Sequence, residues 1–158
     1  MTSNDVRLGF TDLKRFLRHR HPMIMIDRVE RAVPGSYLRG RSVVSGGSDS
    51  INGHFPERAI YPGSNLIQAF SQGSIILLQL SSSMLEAEEM TVVGGVQARF
   101  FSMAVPGDVL TLEVNLDHVR SNAFFFSGII TSERARVARL KLSLVRLSVD
   151  GLSEQSWW

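Results

Sequence analysis

Gly53-His54-Phe55-Pro56, followed by Tyr61-Pro62-Gly63-Ser64-Asn65-Leu66-Ile67-Gln68-Ala69-Phe70-Ser71-Gln72, is the stretch from which the rest of the chain is read. A lone histidine sits among small and apolar neighbours, and Pro62-Gly63-Ser64 then opens a helical pattern, as a helix start tolerates a proline that lacks an N–H. The pattern predicts a helix from about Pro62 to Leu80, loosening at Ser81-Ser82-Ser83. Leu66, Ile67, Ala69, Phe70, Ile76, Leu77, Leu78 and Leu80 cover most of its circumference, so the helix is expected to be buried on most sides. Ser64, Gln68, Ser71, Gln72 and Gln79 fall on one polar stripe, since residues three, four and seven apart share a helical face. The first N–H groups of such a helix point outward with partial positive charge and suit an oxyanion developing on a bound carbonyl. Gly63 lets that carbonyl approach the backbone closely.

Around this helix the chain reads mostly as strands. Phe10, Leu13, Phe16 and Leu17 recur at helical spacing, with Thr11 or Asp12 as the start, and that short helix should end before Pro22. Met23 to Val29 is expected to be a first strand covered on both sides, Pro34-Gly35 a turn and Ser36 to Ser45 a second strand. Gly46 to Gly53, rich in Gly, Ser and Asp, reads as the loop that delivers His54 to the helix mouth. Met84 to Met90 either continues the helix or forms a short lid. Thr91 to Phe101 is a strand in which Gly94-Gly95 suggests a bulge. Val109 to Leu116 alternates strictly, with Leu110, Leu112, Val114 and Leu116 on one face, and two further strands span Phe124 to Thr131 and Ala138 to Val149. Strands before and after one buried helix imply an α+β chain with sheet packed on helix.

Composition narrows the function. The 158 residues are 44% hydrophobic and 20% charged, the profile of one globular domain spanning 1–158, with a polar start at 1–8 and a tail at 152–158. The two terminal tryptophans of that tail are expected either to fold against a partner subunit or to be disordered. No apolar run has membrane-spanning length and no secretory leader pattern is seen, so a cytoplasmic protein without membrane contact is expected. Absence of cysteine removes disulfides and thiolate chemistry. Fifteen arginines stand against two lysines, and the planar guanidinium suits bidentate contact with phosphate or carboxylate on an acidic or phosphorylated partner. The basic residues are scattered and no nucleic-acid motif occurs, so nucleic acid is not the expected partner.

Gly-His-Phe-Pro, Pro62-Gly63 just beyond it and Ala69-Phe70-Ser71-Gln72 together resemble the 3-hydroxyacyl-acyl-carrier-protein dehydratases of the FabZ/FabA type. Leu17-Arg18-His19-Arg20-His21-Pro22, then Met23-Ile24-Met25-Ile26-Asp27-Arg28-Val29, resembles that family's N-terminal signature, and Ala104-Val105-Pro106-Gly107-Asp108 its late turn. The resemblance implies a hotdog fold, an antiparallel sheet wrapped around one long central helix. It implies His54 as base, Gly63 as oxyanion donor and the residue at 68 as the acid, with Phe55, Pro62, Ser64 and Gln72 near the substrate. It also implies that no cofactor is bound, the acyl group being carried on the 4′-phosphopantetheine of an acyl carrier protein. Family members pair, and the base of one chain meets the helix residue of the other, so a homodimer, a higher even oligomer or a heterodimer with a homologous chain is expected.

Position 68 departs from the family pattern, which has Glu or Asp where this chain has Gln68. An amide orients a hydroxyl or a water but donates no proton as a general acid. Three sources of the second proton stay open: His54 itself, a carboxylate such as Glu57 or Asp49, or an acid on a homologous partner chain. Three functions follow, namely dehydration of a 3-hydroxyacyl thioester, hydrolysis of a thioester by a water that Gln68 orients, and service as an incomplete subunit. Arg134, Arg136 and Arg139, the densest basic cluster, are the expected carrier-protein contacts. His19, His21 and His54 offer three imidazoles, but no carboxylate or fixed spacing accompanies them, so no metal site is expected. His118 is expected on the surface.

Overall fold

The computed structural model describes residues 5–55 and 57–149. Ten elements run in chain order: β1 (Val6–Leu8), α1 (Phe10–Phe16), β2 (Arg28–Val33), β3 (Tyr37–Val43), α2 (Asp49–Asn52), α3 (Gly63–Ser81), β4 (Glu89–Phe100), β5 (Val109–Arg120), β6 (Ala123–Thr131) and β7 (Arg136–Ser148). The strands form a single seven-stranded sheet in the order β1-β2-β3-β5-β6-β7-β4, with every neighbouring pair antiparallel. The sheet curls around α3, which is the hotdog arrangement. No helix among the described residues is long and apolar enough to cross a membrane.

The alternation read in the sequence is what seats the helix. Leu110, Leu112 and Val114 of β5, and Ala138, Leu140, Leu142 and Leu144 of β7, are buried on the concave face. Against them α3 is buried without a break from Ala69 to Gln79. Two glycines set how closely the layers approach. A methyl group on Gly73 would meet Val114 at 3.3 Å, and one on Gly128 of β6 would meet the Glu113 carbonyl at 1.9 Å and the Phe70 ring at 2.7 Å. The expected bulge at Gly94-Gly95 is present, as a register shift between Val93 and Gly95 where β4 pairs with β7.

Several local expectations are corrected. Met23 to Asp27 is not a strand; only Arg28 and Val29 of the expected segment enter β2. Much of its backbone bonds to side chains instead: Gln72 donates to Met23 O (2.6 Å) and accepts from Met25 N (2.8 Å), and Ser42 Oγ donates to Met25 O (2.6 Å), while Asp27 N–H goes to Arg41 O (2.8 Å). Val6–Leu8, expected as a polar lead-in, pairs with β2 as an edge strand. The α1 helix starts one residue earlier than expected, with Gly9 as N-cap and Asp12 reaching back to the Gly9 N–H at 3.0 Å. Within the expected loop 46–53, Asp49–Asn52 form one helical turn. The segment 82–88 is neither helix nor strand, and β4 begins at Glu89. The tail 152–158 lies outside the described residues.

Candidate active site

His54 leaves α2 half-buried, its ring tilted against Phe55 with centroids 4.0 Å apart. Its Nδ1 lies 3.0 Å from the carbonyl of Ile60. A carbonyl only accepts, so Nδ1 carries the proton and Nε2 of the neutral ring keeps its lone pair. That contact fastens the imidazole to the segment leading directly into α3. Tyr61 N–H donates to Ala104 O at 2.8 Å and ties the same segment to the loop that carries the Val105–Asp108 turn.

The mouth of α3 has the open donors the sequence implied. Pro62 is the N-cap and has no side-chain cap, and its carbonyl takes the N–H groups of Asn65 (3.0 Å) and Leu66 (3.3 Å). Gly63 and Ser64 precede the first residues that have an acceptor one turn back, so their N–H groups point out of the helix. Phe100, at the end of β4, lies across this mouth: a methyl group on Gly63 would sit 3.0 Å from the Phe100 ring. Phe100 was not legible as a site residue, since nothing in Arg99-Phe100-Phe101 separates it from an ordinary strand end. Glycine is needed here for the close approach.

Gln68 is half-buried on α3, and its side-chain amide has no hydrogen bond among the described residues. No hydrogen bond joins it to His54 either, so a single chain leaves base and amide unconnected. The polar stripe splits in two. Ser64 is exposed and Gln68 is accessible, but Gln72 is fully buried and both ends of its amide are engaged by Met23 and Met25. Gln72, expected near the substrate, here clamps the Met23–Met25 segment to the helix. Gln79, seven residues further along the same face, likewise holds flanking chain, donating to Phe16 O (2.7 Å) and accepting from Leu85 N (3.1 Å). Pro62 is buried, and Phe55 is half exposed.

The carboxylates weighed as alternative acids, Asp49 and Glu57, are both exposed, and neither has a hydrogen bond to His54 among the described residues. Asn65 and Tyr61 line a cleft of about 540 Å³ on another side of the mouth, with Met25, Asp27 and Ser45; His54, Gly63 and Gln68 do not line it. Burial pushes the Tyr61 phenol up, and it also raises Asp27 despite the Val43 N–H that bonds its carboxylate. Among the described residues no three ligating side chains gather as a metal set. His19 is half-buried and its pKa is lowered by burial, while His118 belongs to β5 and stacks on Phe125 at 4.3 Å.

The basic cluster divides as well. Arg134 is held by Asp108 through paired contacts of 3.1 and 2.7 Å, which hold the Asp108 carboxyl below its ordinary value. Arg136 instead faces Phe101 at 5.7 Å, and Arg99, absent from the expected cluster, faces the same ring at 5.4 Å. Arg139 is exposed and lies directly opposite Arg99.

The profile of the FabA-like domain family matches residues 17–141. A coronafacic acid dehydratase of Pseudomonas savastanoi pv. glycinea is 47% identical over 150 residues, covering 95% of this chain and 91% of that protein. The 3-hydroxyacyl-[acyl-carrier-protein] dehydratase FabZ of Ligilactobacillus salivarius is 32% identical over 140 residues, covering 87% of this chain and 98% of that one. Among solved structures, the dehydratase heterocomplex ApeI:P from Xenorhabdus doucetiae superposes with a TM-score of 0.74 at 19% identity, over 89% of this chain and 93% of that one.

Proposed function

Because this chain belongs to the FabA-like domain family, we propose that it removes water from a 3-hydroxyacyl thioester carried by an acyl carrier protein, leaving the trans-2-enoyl thioester. The observation that carries the reading is the Nδ1 contact of His54 with Ile60 O, which leaves Nε2 as the free base beside an uncapped helix mouth.

Nε2 takes the C2 proton, and charge grows on the thioester oxygen, where the Gly63 N–H receives it. The C2–H electrons then form the C2=C3 bond as the C3–O bond breaks. Hydroxide is a poor leaving group, so it needs a proton. A positioned acid contributes ~10²–10⁴-fold, roughly 3–5 kcal/mol of barrier. Gln68 holds the hydroxyl through its amide and supplies none. His54 is charged after the first step, with Nδ1–H tied to Ile60, so the proton on Nε2 is the mobile one and returns to the departing oxygen. Nothing is oxidised, and water is the only leaving molecule.

The working site draws on two chains. Within one chain no hydrogen bond joins Gln68 and His54 among the described residues, and β4 is a twelve-residue strand at the sheet edge with Val93, Val96 and Phe100 exposed. Such an edge pairs readily with a second strand. A second chain aligned there, identical or homologous, brings its own helix mouth toward this one's Gln68. Enoyl product and free carrier thiol are to be measured for wild type and Gln68→Glu, each alone and with a homologous dehydratase chain. Enoyl formation by wild type alone, raised by Gln68→Glu, supports a homomeric dehydratase that lacks a strong acid. Turnover only in the mixture assigns the acid to the partner. Free thiol without enoyl product means hydrolysis and overturns the reading.

A further inference from the structure

The outer face of the sheet carries its arginines in two straight rows. Across β2, β3, β5, β6 and β7, directly paired residues give Arg28, Arg41, Thr111, Thr131 and Arg136. The second row, reaching on to β4, reads Arg31, Arg39, Glu113, Ile129, Arg139 and Arg99. Paired residues face the same side, and residues between the rows, such as Leu112, Ile130 and Ala138, are buried in the core, so both rows lie on the convex surface.

Three of these pairs set arginine directly opposite arginine: Arg28 with Arg41, Arg31 with Arg39, and Arg99 with Arg139. Like charges directly opposite are destabilising. The fold compensates only in part. Glu30 serves three guanidiniums at once, Arg41 at 2.8 Å, Arg28 at 3.0 Å and Arg39 at 3.7 Å, while Asp5 holds Arg31 at 3.0 Å. Glu113 accepts from Tyr37 at 3.3 Å. Among the described residues no carboxylate forms an ion pair with Arg99, Arg136 or Arg139. Seven arginines thus face the carboxylates of Asp5, Glu30 and Glu113, and the surplus stays in solvent.

The band has a direction. Its β7–β4 end closes on the Phe101 ring between Arg99 and Arg136, next to the Phe100 that covers Gly63. Its β2 end lies five strand spacings away, ~24 Å, well beyond a Debye length of ~8 Å. Those distant arginines cannot act on a thioester at the helix mouth. They can act on the body of whatever carries it.

We propose that this band docks and steers the carboxylate-rich body of the acyl carrier protein, the β2–β3 arginines catching it and Arg99, Phe101 and Arg136 receiving it at the mouth. The inference rests on the dehydratase reading for its substrate, but not for its charge argument. Electrostatic complementarity of this kind raises association rate more than chemistry.

The test uses the double variant Arg28→Gln/Arg39→Gln, both exposed and neither near the mouth. One 3-hydroxybutyryl group is presented on an acidic acyl carrier protein and, separately, on uncharged N-acetylcysteamine. The expected result is a fall of ~10-fold in kcat/KM for the carrier substrate at low salt, shrinking as salt rises, with kcat and the N-acetylcysteamine reaction unchanged. Unchanged carrier kinetics would overturn the proposal while leaving the dehydratase reading intact. An equal fall on both substrates would also overturn it, since it would mean a disturbed fold. If wild type turns over neither substrate, the reaction reading fails, and the band is judged by carrier binding alone: salt-sensitive binding weakened in the double variant upholds it, and binding equal to wild type removes it.

Discussion

His54 has one ring nitrogen tied to the Ile60 carbonyl and one free, so its replacement should remove chemistry and little else. We expect His54→Ala to lose at least ~100-fold in kcat, the lower bound for a positioned base, with an unchanged far-UV spectrum and melting temperature. Retained activity above a hundredth of wild type would reassign the base. Gln72 predicts the opposite pattern. Gln72→Leu keeps the volume but leaves Met25 N–H and Met23 C=O without partners, at ~1–3 kcal/mol for each stranded group. The midpoint of thermal unfolding should fall by several degrees while kcat stays near wild type. Loss of kcat at unchanged stability would return Gln72 to the substrate side. The two residues were treated alike in sequence because helical spacing tells which residues share a face, not what that face meets.

At the scale of elements, the contact of α3 with the sheet is set where β6 passes Phe70. Gly128 is the point of closest approach, and the obstacle to any side chain there is backbone, the Glu113 carbonyl of the neighbouring strand. Gly128→Ala should therefore leave no soluble, cooperatively unfolding protein, whereas Gly35→Ala, whose added methyl would have no neighbour within 4 Å but sits at φ +78°, should cost only ~1 kcal/mol of backbone strain. Equal melting curves for the two variants would contradict this account of the packing. The long strands β5, β6 and β7 were legible because alternation with a period of two survives wherever one face is wet. Met23 to Asp27 misled for a definite reason: apolar density predicts burial, while the Met23 carbonyl and both backbone groups of Met25 bond to the side chains of Gln72 and Ser42, partners distant in sequence.

For the whole molecule, the exposed β4 edge predicts association. Light scattering should give a dimer or a higher even assembly, and Val96→Arg on that edge should shift it toward monomer and reduce turnover together. A wild-type monomer with full activity would remove the shared site. Acid should weaken the fold. Asp108 is held low by Arg134; Glu30 is held low by Arg41 and Arg28 against the opposing pull of burial; Glu89 is held low by Arg146. A carboxyl whose folded pKa lies below its unfolded value stabilises above the unfolded value, and that contribution is lost as pH falls through the folded one. Asp27, raised by burial, contributes with the opposite sign. Three against one, urea stability should fall as pH drops below the ordinary carboxylate values of 3.8 for Asp and 4.5 for Glu. Arg134→Gln should flatten that fall, and a stability that rises toward acid would contradict these pairings.

What the sequence determined by itself is what local chemistry can encode: the uncapped proline–glycine start of α3, the alternation of the late strands, the bulge at Gly94-Gly95, and a histidine set just before a helix mouth. The family resemblance carried by Gly53-His54-Phe55-Pro56, Pro62-Gly63 and Ala69-Phe70-Ser71-Gln72 belongs to the same level, because it is written in short contiguous stretches. Only the tertiary structure decided where those side chains spend their hydrogen bonds. It turned Gln72 inward, gave His54 its tautomer through Ile60, laid Phe100 over Gly63, and took Arg134 out of the free basic cluster by pairing it with Asp108. It also lined up arginines from four strands, β2, β3, β7 and β4, drawn from both ends of the chain. Register across a sheet depends on which strands become neighbours, and no spacing along one strand contains that information.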